Sequence, residues 1–154
     1  MFLFKRTASK IAYSFKASLL SASVAFALVF IFHFFIGLPD ETPNENLSFS
    51  FADAFGLILF APLVETILLV PVVLLAKKLT KSIVLAACLG ALFFSILHSM
   101  LHPIWGLFTF APFVVFCIGF QVWHKKPVPE GARVAFLIHA FHNSYVIMIM
   151  GLVD

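Results

Sequence analysis

The chain has 154 residues, of which 62% are hydrophobic, 16% aromatic and 11% charged, with 21 Phe and a formal net charge of +3. A soluble globular domain carries about 25% charged residues to wet its exterior, and a mean hydropathy of +1.09 excludes that class here. At about 20 residues per crossing of the hydrocarbon core, the length leaves room for at most about six membrane spans.

Apolar runs bounded by charge or turn residues occupy residues 17–38, 50–76, 82–102, 104–123 and 131–152, each long enough to span. The first follows a basic stretch with Lys5, Arg6, Lys10 and Lys16, and Ala25-Phe26-Ala27 offers small residues of the kind a signal peptidase cuts. The run continues well beyond the roughly 7–15 residues of a signal-peptide core, so it reads as a retained helix. Ser50 and Asp53 have the spacing of a helix-opening capping box and place the start of the second span. Pro62 and Pro71 remove backbone donors within it, which predicts a bend or interruption near its centre. Residues 125–131, with Pro127 and Pro129, read as a turn, and His124 reads as a solvated loop residue. Cys88 and Cys117 lie inside apolar runs and behave as small hydrophobes, without a disulfide framework.

Charge tests the number of spans independently, because cytoplasmic loops are rich in Lys and Arg. The N-terminal segment, the second connection (Lys77, Lys78, Lys81) and the fourth (Lys125, Lys126, Arg133) together hold all 10 basic residues. Asp40, Glu41, Glu45, Asp53 and Asp154 fall on the other side. Five crossings satisfy this alternation. The expectation is one all-α domain, a polytopic bundle of about five spans, with its N-terminus cytoplasmic and its C-terminus outside. A multi-pass protein of the bacterial cytoplasmic (inner) membrane fits this reading. The basic charge is a topology signal, so the expected partner is the bilayer and not nucleic acid.

The informative residues are the few polar ones inside the spans, because an ionisable side chain in hydrocarbon costs several kcal/mol unless something uses it. They are Glu65, His98, His139, His142 and Asn143, with His33 and His102 as interfacial histidines. At a rise of about 1.5 Å per residue, Glu65 lies about 18 Å from Lys77 and Asn143 about 15 Å from Arg133, both near the midplane. His139, His142 and Asn143 share one helix face, as do Phe94, His98 and His102. Asn143 alone reads equally as interhelical glue.

The stretches Ala61-Pro62-Leu63-Val64-Glu65, Phe94-Ser95-Ile96-Leu97-His98 and His139-Ala140-Phe141-His142-Asn143 resemble the three ordered motifs of the CPBP family of intramembrane proteases. That family comprises CAAX-processing endopeptidases and bacterial proteins tied to bacteriocin processing and immunity. The match covers about residues 55–150, a CPBP-like core that leaves residues 1–54 as an N-terminal helix and acidic outer loop. Thr66 stands where the family usually has a second Glu, and Val70 where it usually has Arg.

The resemblance implies a glutamic-type endopeptidase in which Glu65 is the general base, His98 holds the attacking water, and His139 and Asn143 stabilise the oxyanion. His142, Phe94 and Thr66 would then have secondary or substrate-binding roles. The implied substrate is a peptide or protein with a membrane-associated tail or leader. No cofactor is expected, although Glu65, His98 and His139 are also an acceptable zinc set. Two further classes stay open: a non-catalytic CPBP-like protein acting in immunity or as a partner subunit, and a His-rich membrane site for haem, metal or protons.

Overall fold

The computed structural model describes residues 2–37, 50–124 and 128–153. Leu38 and the acidic loop with Asp40, Glu41 and Glu45 lie outside the described residues, as do Lys125, Lys126, Pro127 and Asp154. Five helices carry the chain: α1 (Lys10–Phe35), α2 (Phe51–Leu79), α3 (Ile83–Leu101), α4 (Pro103–Trp123) and α5 (Val128–Val153). All five are long and apolar enough to cross a membrane, and no strand occurs among the described residues. The described residues therefore form an all-α, multi-pass bundle with five candidate spans.

Each helix starts and stops for a local chemical reason. Ser9 caps α1 by accepting from the Ala12 N–H at 3.2 Å, so this helix begins seven residues before the apolar run does. The hydropathy boundary missed that first part because Lys10 and Lys16 bracket it. At the other end Gly37 adopts φ 86°, and its N–H donates to the carbonyls of Phe32 and His33. A left-handed residue just past the last turn closes helices in this way, and glycine adopts it without a Cβ clash.

The expected capping box opens α2: Ser50 Oγ accepts from the Asp53 N–H at 3.1 Å and donates to Asp53 Oδ2 at 2.7 Å. Ser82 caps α3 through the Leu85 N–H. Between α3 and α4 there is only His102, held extended before Pro103, as the residue preceding a proline prefers. Pro103 then occupies the first turn of α4, where its missing donor costs nothing.

Two further features differ from the sequence reading. Residues 128–131 are already the first turn of α5 and not part of a turn, because Pro129 is tolerated there and Glu130 complements the helix dipole. The interruption of α2 is also not at its centre. Gly56–Phe60 form a π-turn, after which the helix runs unbroken from Ala61 through Pro71 to Leu79.

α4 is the centre of the bundle. Half of its spanning window is buried, against 22% for α1 and for α2, and it packs on α1, α3 and α5. Its core side chains include Phe113, Phe116, Phe120 and Trp123, and Phe94 of α3 stacks on Phe113 at 4.4 Å between ring centroids and nearly parallel. Gly119 lets α5 approach α4 closely, since a Cβ there would run into the Ile138 side chain.

One end of the bundle is tied together by polar contacts. Arg6 donates from Nε to the Val122 carbonyl at 2.9 Å and from Nη2 to the Trp123 carbonyl at 2.8 Å, while lying over the Trp123 ring. These are orphan carbonyls at the C-terminus of α4, and a cation there also opposes the helix dipole. Tyr13 packs edge-on against Trp123 and donates its hydroxyl to the Leu3 carbonyl. Lys10 pairs with Glu130, and Gln121 reaches the Ile83 carbonyl at 3.0 Å. His124 belongs to this end as well, and it is half-buried and stacked on Phe120 at 5.0 Å, so it is only partly solvated. Desolvation, helped by nearby Lys77, holds its pKa below the usual imidazole value.

Arg6→Ala removes two charge-assisted hydrogen bonds from partly buried carbonyls, and the expected loss is about 1–3 kcal/mol of stability. Unfolding of the purified protein in detergent reads this. Arg6→Lys, which keeps the charge without the forked geometry, is expected to recover only part, and an unchanged Arg6→Ala protein would contradict the capping role.

Candidate functional site

The polar residues singled out inside the spans meet in one place. A cavity of about 550 Å³ is lined by Glu65 of α2, His98 of α3, and His139, His142 and Asn143 of α5. Phe113 and Phe116 of α4 form its aromatic wall, and Ala25, Phe26 and Val29 of α1 close another side. Helix α1, which the family resemblance leaves outside the matched core, is therefore part of the site.

Glu65 stands between two histidines. Its Oε1 lies 4.0 Å from His98 Nε2 and its Oε2 lies 3.9 Å from His139 Nδ1. Both distances exceed a direct hydrogen bond. Oε2 is buried and has no hydrogen-bond partner among the described residues, an arrangement that calls for an explanation where desolvation is expensive.

The orientation of His98 follows from its own helix turn. Its Nδ1 lies 2.8 Å from the Phe94 carbonyl, which can only accept, so Nδ1 carries the hydrogen. In the neutral ring Nε2 is then a bare acceptor, and it is this atom that faces Glu65. Trp105 packs edge-on against the same ring at 5.4 Å and Phe113 lies at 5.4 Å. His139 stacks on Phe116 at 4.6 Å. The aromatic wall thus holds both imidazoles in place.

Asn143 is held by the π-turn. In a π-turn the carbonyl of residue i bonds the N–H of residue i+5, as the Ala61 N–H does to the Gly56 carbonyl. For Leu57 that partner is Pro62, which has no N–H. Asn143 Nδ2 donates to the Leu57 carbonyl instead, at 2.8 Å. An amide nitrogen carries two hydrogens, so one remains for other use. His142 is anchored from α1, with Nδ1 2.9 Å from Ser21 Oγ. Ser21 was not evident from sequence, although Ser14, Ser18 and Ser21 repeat at helical spacing on one buried face of α1.

Two of the expected secondary residues sit elsewhere. Phe94 lies in the core, and what it offers the site is its carbonyl. Thr66 is buried and lines a separate crevice between α2 and α5, together with Val70. His33 is exposed, and His102 is half-buried at the corner between α3 and α4. Glu65, His98 and His139 have the donor chemistry of a zinc set. Among the described residues, however, no three His, Cys, Asp or Glu side chains are gathered as a metal ion requires.

Comparisons with protein-family models, with curated proteins and with solved structures return no match to this chain.

Replacing Asn143 by Ala leaves the Leu57 carbonyl without a donor in a low-dielectric interior, with an expected loss of about 1–3 kcal/mol. Pro62→Ala returns a backbone N–H to this turn, so the double variant is expected to be more stable than Asn143→Ala alone. Unfolding of the four proteins in a double-mutant cycle measures the coupling, and strictly additive losses would contradict it.

Proposed function

We propose that this chain is an intramembrane endopeptidase of the CPBP type, with Glu65 as general base. One observation carries the reading. A bare imidazole nitrogen and a carboxylate oxygen, both acceptors, face each other across 4.0 Å inside a membrane-embedded cavity. Two acceptors have no direct bond to make. A water molecule answers both by donating one O–H to each, which turns its lone pairs away from them and towards a substrate carbonyl.

In the proposed reaction the water oxygen attacks the peptide carbonyl carbon as its proton passes to Glu65. The carbonyl oxygen becomes a tetrahedral oxyanion, stabilised by His139 and by the second N–H of Asn143. Protonated Glu65 then gives its proton to the leaving amine nitrogen, the C–N bond breaks, and a new carboxyl and a new amine separate. No metal or cofactor takes part in this scheme. The absence of the second Glu and the Arg of the family's first motif is compatible with it, because Thr66 and Val70 line a different crevice.

The cavity suits an unwound, apolar segment of a membrane-associated protein, since most of its lining is aliphatic or aromatic. By the positive-inside rule, the end that holds Arg6, Lys10 and Arg133 is cytoplasmic. The observations do not favour a haem or non-catalytic reading over this one.

Co-expression with tailed candidate substrates tests the proposal. Glu65→Gln, His98→Ala and His139→Ala are each expected to lower cleavage by about 10²–10⁴-fold at equal membrane abundance. Equal cleavage by wild type and Glu65→Gln would reject Glu65 as the base, and cleavage by none of the four, wild type included, across a broad set of tails would reject the peptidase.

A further inference from the structure

The crevice that holds Thr66 and Val70 is a second hollow, of about 480 Å³, between α2 and the first turns of α5. Leu63 and Phe136 mark its deeper end, while Thr66 and Ala132 are short enough to leave space between the helices. From Leu63 to Val70 it follows α2 for about 10 Å along the helix axis. Its wall is almost wholly apolar, with Thr66 and the stem of Arg133 adding next to no polar surface, and the exposed Arg133 guanidinium stands at its mouth.

Arg133 gives this hollow a charge preference. Its side chain is 68% exposed and donates from Nη1 to Glu130 Oε1 at 3.1 Å. Glu130 also pairs with Lys10 and feels Arg6, so three cations share one carboxylate. The cluster keeps a positive excess, and a guanidinium has five N–H donors of which Glu130 takes one. Phosphate is the anion that a membrane surface supplies at this level, and forked recognition of it suits Arg.

We infer that this crevice is a binding site for an anionic phospholipid, with one acyl chain between α2 and α5 and the phosphate at Arg133. The chain packs on the turn of α2 that carries Thr66, one residue from Glu65. A zwitterionic lipid fits the hollow equally well but cancels the charge term, so headgroup selectivity is the signature of the site. The inference goes beyond the peptidase proposal and does not rest on it, because binding is read without cleavage.

The test uses the full chain, delipidated in detergent and titrated with phosphatidylglycerol or phosphatidylcholine of the same acyl composition, with bound lipid counted by native mass spectrometry. Wild type is expected to retain phosphatidylglycerol preferentially. Arg133→Gln is expected to weaken that retention about fivefold, the usual contribution of one basic residue near a charged headgroup, whereas Arg133→Lys keeps most of it. Ala132→Phe fills the hollow from α5 and is expected to abolish retention with helicity and elution volume unchanged. Val70→Phe, which fills it from α2, replaces it if that variant does not fold. Equal retention of the two lipids would overturn the inference. So would undiminished phosphatidylglycerol binding in a filled variant, or displacement of the lipid by an equal concentration of soluble glycerol phosphate.

Discussion

A backbone carbonyl inside hydrocarbon must find a donor, and Pro62 deprives the Leu57 carbonyl of the one that a π-turn would give it. Asn143 supplies the donor from a helix that meets α2 only in space. This single bond ties the helix of Glu65 to the helix of His139 and His142, so the requirement that satisfies the backbone also sets the partners of the carboxylate. A leucine or valine side chain at position 143 has no N–H to donate and could not make that tie.

The rest of the site is held by the same economy of polar groups. The Phe94 carbonyl fixes the His98 ring, Ser21 of α1 holds His142, and Phe116 supports His139 by stacking. Each of these partners comes from a different helix turn, and the central helix α4 supplies the wall against which they are placed. Among the polar residues that line the cavity, Glu65 keeps a buried oxygen, Oε2, with no hydrogen-bond partner among the described residues. Other buried atoms without a partner lie outside the cavity, on Ser14, Ser95, His102, Gln121, Trp123 and His124, so what sets Glu65 apart is its place between two imidazoles.

Much of this was legible in the sequence. Five spans followed from hydropathy and from the alternation of charge, and the Ser50–Asp53 cap from a three-residue spacing. Glu65, His98, His139, His142 and Asn143 stood out because polar residues in hydrocarbon are rare, and they do line one cavity. What hydropathy could not show was the start of α1 at Lys10, since basic residues at a membrane surface lower the score of a helix without ending it. Nor could proline position show a π-turn. Pro62 and Pro71 look alike in sequence, yet the distortion lies just before the first, and the helix passes through the second. The places of Thr66 and Phe94 depended on which helix packs where, and Ser21 was hidden because a serine on a membrane helix is common and weakly informative.

The central claim is that water activated at Glu65 opens a peptide bond inside the membrane. Its most direct measurement is proteolysis in H₂¹⁸O by the full chain in vesicles holding membrane-embedded peptides of varied apolar sequence, with new carboxyl termini read by mass spectrometry. New termini carrying one ¹⁸O from the wild-type protein, and none from Glu65→Gln, are the predicted result. The same labelled termini from both proteins, or none from either, would contradict it.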